Sequence, residues 1–200
     1  MTAGSYDAFD DPYAYPGTQV LKNRLGTRDP AVLQAFEVEM TTLRARELLP
    51  VGRFGPTHYC RVHRHLFQDV YAWAGQYRAV RTSKSGNVFC YPENIEGEMN
   101  RLFSRLKRGP FARHDAFGAF VAGAAAFLAD SNAIHPFRDG NGRAQLAFLH
   151  LVAARAGHPF RLEMVGPENF LRAMVASFAG DLKPLVAELA ALRASRDIPL

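Results

Sequence analysis

The sequence predicts a mostly α-helical domain, a helical bundle carrying one short β-hairpin. Apolar residues recur at three- and four-residue spacing along most of the chain, which is the signature of helices with one buried face. Proline and glycine fall between those stretches, where helices start and stop. Only between Arg78 and Tyr91 does the helical period lapse.

Residues 1–28 are irregular, broken by Gly4, Pro12, Pro16 and Gly17. Their aromatics Tyr6, Phe9, Tyr13 and Tyr15 suggest an arm that packs on the domain. Asp29-Pro30 is an N-cap and first-turn pair, and Leu33, Phe36, Met40 and Leu43 mark the stripe of a helix that Pro50 stops. A second helix starts at Pro56, with Tyr59, Val62, Leu66, Phe67 and Val70 inward, and Trp73-Ala74-Gly75 ends it. Gly86-Asn87 then joins two β-compatible arms, Ala79–Ser83 and Val88–Tyr91, as a hairpin. Pro92 opens a helix striped by Ile95, Met99, Leu102 and Leu106, and Gly109-Pro110 closes it. From His114 to Ala133 another helix carries Phe117, Phe120, Val121, Ala124 and Leu128, with Gly118 and Gly123 allowing close packing. Residues 143–156 are apolar almost all round, a buried helix ended by Gly157. Pro167 and Asp181 open the last two, striped by Phe170, Leu171, Met174 and Phe178, then by Leu182, Leu185, Val186 and Leu189.

Bulk properties bound the function. A chain of 200 residues suits one domain. Cys60 and Cys90 make neither a disulfide framework nor a zinc pattern, so a reducing, cytoplasmic setting is expected. No apolar run looks long enough to span a bilayer, and the acidic, aromatic start is unlike a signal peptide. The net charge of +5 admits nucleic-acid, nucleotide or acidic-protein partners. Its lysines and arginines are dispersed, however, and no direct nucleic-acid binding is expected.

The densest chemistry lies from His135 to Arg143. Gly140-Asn141-Gly142 precedes a helix, whose first free N–H groups and dipole attract phosphate. Arg143 offers a guanidinium fork to phosphate oxygens. Asp139 is a hard oxygen ligand suited to Mg²⁺, and His135 is able to take a proton near neutral pH. Phe137 is expected to plug the loop into the core. Singly, each residue has a plain alternative: a structural histidine, a turn, a helix-capping aspartate. Their joint order points to a polyphosphate cradle beside a general base.

That order resembles the signature of the Fic family, His-Pro-Phe-x-(Asp/Glu)-Gly-Asn-Gly-Arg-x-x-Arg, matched from His135 through Arg143. Tyr15-Pro16-Gly17-Thr18 with Val20-Leu21-Lys22-Asn23 is similar to the N-terminal segment of stand-alone Fic toxins. Trp73-Ala74-Gly75, Arg78 and Ser83-Lys84 resemble the approach to the family's hairpin flap. The resemblance implies a Fic-type helical core over 29–200, with the flap at about 78–91 and the motif at 135–146, behind an arm over 1–28. It implies transfer of AMP from ATP to a hydroxyl side chain of a target protein (AMPylation). His135 would then be the base and Asp139 the Mg²⁺ ligand. Gly140, Asn141, Gly142 and Arg143, with Ser83 and Lys84 from the flap, would bind ATP. Arg81, Thr82 and Ser83 would dock an extended target segment by strand addition.

One position departs. The motif's second arginine, the expected γ-phosphate contact, is Leu146; Arg155 or Lys84 are the candidates to replace it. The family's inhibitory pattern (Ser/Thr)-x-x-x-Glu-(Gly/Asn) does not occur in the chain. By resemblance, a small antitoxin protein would supply the inhibitory helix, and DNA gyrase or topoisomerase IV would be the target. Two alternatives follow from Leu146: transfer of another nucleotide or phosphate-containing group, or a catalytically impaired Fic-like binding module.

Overall fold

The computed structural model describes residues 11–84, 86–108 and 116–193. Among them the chain forms α1 (Pro30–Ala45), α2 (Pro56–Phe67), strands β1 (Ser83–Lys84) and β2 (Asn87–Val88), α3 (Ile95–Arg108), α4 (Phe117–Ile134), α5 (Asn141–Ala156), α6 (Pro167–Phe178) and α7 (Lys183–Ala191). The expected helical fold with one hairpin is what forms. Tyr6, Phe9, Gly109-Pro110 and His114, to which the sequence assigned packing, helix-stop and helix-start roles, lie outside the described residues.

The predicted helix starts hold where their physical cause is local. Asp29 accepts hydrogen bonds from the Ala31 and Val32 amides, filling donors that a helix start leaves empty. Proline occupies the first turn of α2 and α6 as well. Gly157 ends α5 with a left-handed backbone. The helix expected from Asp181 begins at Lys183, whose amide donates to the Asp181 carboxylate.

Other boundaries and faces shift. α2 stops at Phe67, before Trp73, because the Val70 and Tyr71 amides both turn back to the Phe67 carbonyl. α5 begins at Asn141, two residues early, so Asn141 and Gly142 lie in its first turn. It is not apolar all round, since His150 faces solvent. Leu43 and Leu171 are also exposed, at 49% and 55%; α1 and α6 each bury a narrower face than their apolar pattern offers. Gly118 borders open space, whereas Ala124 and Ala125 are fully buried.

The hairpin is shorter than predicted. Ser83 pairs with Val88 and Lys84 with Asn87, and the Phe89 amide still reaches the Thr82 carbonyl. Beyond that, the backbone is diverted. The Val80 and Cys90 carbonyls accept from Arg78, and the Cys90 amide donates to Ala133 at the end of α4. Those bonds tie the hairpin base to the bundle and leave no ladder to extend.

α4 lies at the centre, packed on α3, α5, α6 and α7. By length and composition it would suffice to cross a membrane, contrary to the expectation from sequence. Its apolar residues Phe120, Val121, Phe127 and Leu128 are instead spent on the core. A second apolar cluster, built on Val20, Leu21, Leu33, Phe67 and Val70, joins residues 20–33 to α2.

Candidate active site

The turn between α4 and α5 holds the chemistry. His135 ends α4 in the left-handed region, at φ 49° and ψ 60°, a conformation uncommon outside glycine. Arg78 stabilises it. This guanidinium, 2% exposed, donates to the carbonyls of His135 (2.8 Å), Ile134 (3.2 Å), Val80 and Cys90. A buried cation with that many acceptors is paid for by the backbone it clasps. One residue therefore fixes both the turn that bears His135 and the hairpin root. The His135 ring stacks on Phe89 from the hairpin, with centroids 3.9 Å apart and planes 9° off parallel. Burial pulls its pKa down to about 3, aided by Arg78, Lys84 and Arg138 and opposed by a hydrogen bond with the Asn132 backbone. At neutral pH the ring is unprotonated.

The rest of the turn is locked from behind. Phe137 is fully buried between Tyr59 and the His63 ring, the latter only 3.8 Å away. His63 takes the Gly75 amide on Nδ1 at 2.9 Å. Since an amide only donates, Nε2 carries the ring proton and gives it to the Asp139 carbonyl at 2.9 Å. Burial holds the His63 pKa at about 3, against the bond to Asp139. The Asn141 side chain closes a ring on the loop, accepting from the Phe137 amide and donating to its carbonyl. Its expected part in the anion hole is thus left to its backbone amide. Gly140 has φ 77°, and a Cβ there would lie 2.3 Å from the Phe67 ring; only glycine meets both demands. A Cβ on Gly142 would meet nothing, and no side chain caps the start of α5.

The charged groups converge from two sides. Asp139 accepts from the Gly140 amide, and its carboxyl is pushed up by burial and by Glu37, against Arg143. Arg143 reaches Glu37 at 2.6 Å and lies 3.9 Å from Asp139. It also sits over the Phe67 ring. Among the described residues no three His, Cys, Asp or Glu side chains cluster as a cation cage. The donor set nevertheless fits Mg²⁺, which is commonly held by one or two carboxylates together with substrate phosphates.

The remaining predicted residues divide. Lys84 is close enough to influence His135. Ser83 pairs within the hairpin, and Arg81 projects over the Tyr91 ring at 4.2 Å. Thr82 is 2% exposed and its carbonyl already accepts from the Phe89 amide within the hairpin, so the structure does not present it to a docking segment. Arg155 sits twelve residues beyond Arg143 on α5, about 18 Å along the axis, over Phe54; it is no substitute for the missing arginine. Leu146 lines a cleft of about 780 Å³ with Leu66, Ala147, Phe160 and Leu162, running on from Arg143.

Sequence reasoning missed Glu37, His63 and the Asp11–Arg138 ion pair (2.6 Å). Glu37 and His63 each sit one turn along from an apolar inward residue, Leu33 and Tyr59. A polar residue inside a buried stripe was the available signal. The Asp11–Arg138 pair spans 127 positions of sequence and had none.

Comparison with known proteins agrees with this geometry. Residues 53–153 match the model of the Fic/DOC family. The chain is 52% identical over 185 residues to a Sinorhizobium fredii protein named probable protein adenylyltransferase y4lH, covering 92% of this chain and 96% of that one. It is 38% identical over 179 residues to the probable protein adenylyltransferase Fic of Salmonella typhimurium, covering 88% and 89%. In fold it is similar to the N-terminal Fic domain of a Bartonella quintana effector with bound ADP, at a TM-score of 0.84 and 24% identity over 92% and 95% of the two chains.

Proposed function

Because the chain belongs to the Fic/DOC family, we propose that it is a protein adenylyltransferase, moving AMP from ATP to a hydroxyl side chain of a target protein. The observation that carries this reading is one buried, braced turn that presents an unprotonated imidazole, a carboxylate and an open helix start.

His135 takes the proton from the target hydroxyl as its oxygen attacks the α-phosphorus and pyrophosphate leaves. A ring with so low a pKa in the empty site is a weak base, and nearby phosphate charge would raise it toward a useful range. The free amides at the start of α5 and the Arg143 guanidinium stabilise charge on the phosphate oxygens. Asp139 would hold Mg²⁺, which supplies charge neutralisation of the polyphosphate. The outer edge of the hairpin pairs with an extended target segment and sets its hydroxyl in line. The resemblance extends the reading to a cytoplasmic toxin restrained by an antitoxin, with gyrase or topoisomerase IV as first targets to try.

Incubation with labelled ATP, Mg²⁺ and bacterial lysate, beside a His135→Ala control, tests it. Loss of a general base lowers the rate about 10²–10⁴-fold; equal labelling by both proteins would refute the assignment. Leu146 and the apolar cleft behind it favour a second reading, a different donor. A panel of phosphate-containing donors read by intact mass separates the two, since only AMP transfer adds the mass of AMP.

A further inference from the structure

Glu37 lies on α1, outside the segment that matches the family, in a helix whose inward face would be expected to be apolar. Its side chain is only 14% exposed. A carboxylate so placed costs free energy unless it is paired, and Glu37 is paired with Arg143 of the candidate phosphate site. Oε1 accepts from Arg143 Nη2 at 2.6 Å, and Oε2 accepts from the Tyr71 hydroxyl. One turn on, Thr41 is also buried and lies at the edge of hydrogen-bond reach of Arg143 Nη1, 3.4 Å away. Tyr71 is itself fixed, stacked on Trp73 with centroids 4.4 Å apart. Two inward polar groups of α1 therefore converge on a single guanidinium, and Phe67 supports its face.

The same guanidinium has a competitor. Asp139 stands four residues before Arg143, with its Oδ1 3.9 Å from Nη2. An unrestrained arginine beside that carboxylate would close the gap into a hydrogen-bonded pair. The guanidinium read as the phosphate contact would then be tied up together with the carboxylate read as the metal ligand, while Arg138 is already paired with Asp11. Leu146 leaves no second motif arginine to take over.

We propose that Glu37 is the positioning residue of Arg143, holding its guanidinium at the mouth of the anion cradle and off Asp139. The proposal rests on the reading of Arg143 as a phosphate contact. It also has a distinctive sign. If Glu37 acted only through its charge, neutralising it would strengthen binding of a polyanion. As a positioning residue, its loss weakens binding although a negative charge has been removed.

The test compares wild type with Glu37→Gln by two measurements. The first is the ¹⁵N–¹H signal of the Arg143 Nε in nucleotide-free protein, assigned by its disappearance in Arg143→Lys. It is expected to be sharp and slow to exchange in wild type, and broadened in the variant. The second is calorimetric binding of ATP with Mg²⁺, where Kd is expected to rise about tenfold, equivalent to about 1.4 kcal/mol. Should Glu37→Gln not fold, Tyr71→Phe keeps the carboxylate and removes its brace; a smaller loss in the same direction is expected. Tighter or unchanged ATP binding, or an unchanged Arg143 signal, overturns the proposal. Wild-type protein that transfers no AMP would defeat the functional reading alone, because the Arg143 signal is measured without nucleotide or target.

Discussion

The motif turn and the hairpin lie side by side, touching through Phe89 and His135, yet they are built in opposite ways. In the turn, His135, Phe137, Arg138 and Asn141 are all at most 6% exposed, and the loop is bonded to α2, α5 and Asp11. The hairpin has two-residue strands, and Val88 at 61% exposed covers nothing. Arg78 marks the boundary between them, clasping the root of one and the base of the other. Reacting groups must be held within fractions of an ångström, whereas an edge that pairs with varied segments gains from few fixed contacts of its own. On the proposed function, the first region does the chemistry and the second receives the partner.

The largest effect is expected from breaking the turn. Gly140→Ala drives a methyl group into the Phe67 ring and asks a non-glycine residue to hold φ 77°. Overpacking and backbone strain together should cost about 2–5 kcal/mol, read by urea denaturation, and ATP binding should weaken in parallel. Native-like stability would mean that the turn is far less constrained than its contacts imply.

A second test uses pH. His63 and His135 both hold pKa values near 3 in the folded chain, against about 6.5 when unfolded. Between those values the unfolded state binds more protons, so stability rises with pH across that window and levels off above about pH 7. From pH 7.5 down to 5, each histidine should remove about 2 kcal/mol. Denaturation at stepped pH should show that slope, opposed in part by the raised Asp139 carboxyl, and His63→Gln should reduce it. An unchanged slope would show that His63 is not buried neutral.

The smallest effect is expected at the hairpin. Val88→Ser should alter stability by no more than about 0.5 kcal/mol, while raising KM for the target protein and leaving that for ATP unchanged. A large loss of stability would erase the contrast between the two regions.

Much of this molecule was legible before its structure. Asp29-Pro30, Pro56, Pro167 and Gly157 set helix ends through local backbone chemistry. The run from His135 to Arg143 placed an imidazole, a carboxylate, a glycine turn and a guanidinium in one segment, because a helix start and its neighbours are bonded in sequence. The misjudged faces, Leu43, Leu171 and Gly118, were matters of which neighbour covers a helix, which spacing alone does not say. The hairpin was overdrawn because β-compatible residues do not reveal that Arg78 will claim their carbonyls.

What the sequence determined by itself was therefore the order of helices and the inventory of reacting groups, since both arise from residues within a few positions of one another. Only the tertiary structure decided how those groups are held. Glu37 reaches Arg143 across 106 positions, His63 reaches Asp139 across 76, and Asp11 reaches Arg138 across 127. Each is a polar residue whose burial is tolerable only because a distant partner meets it, and no local pattern states which partner that will be.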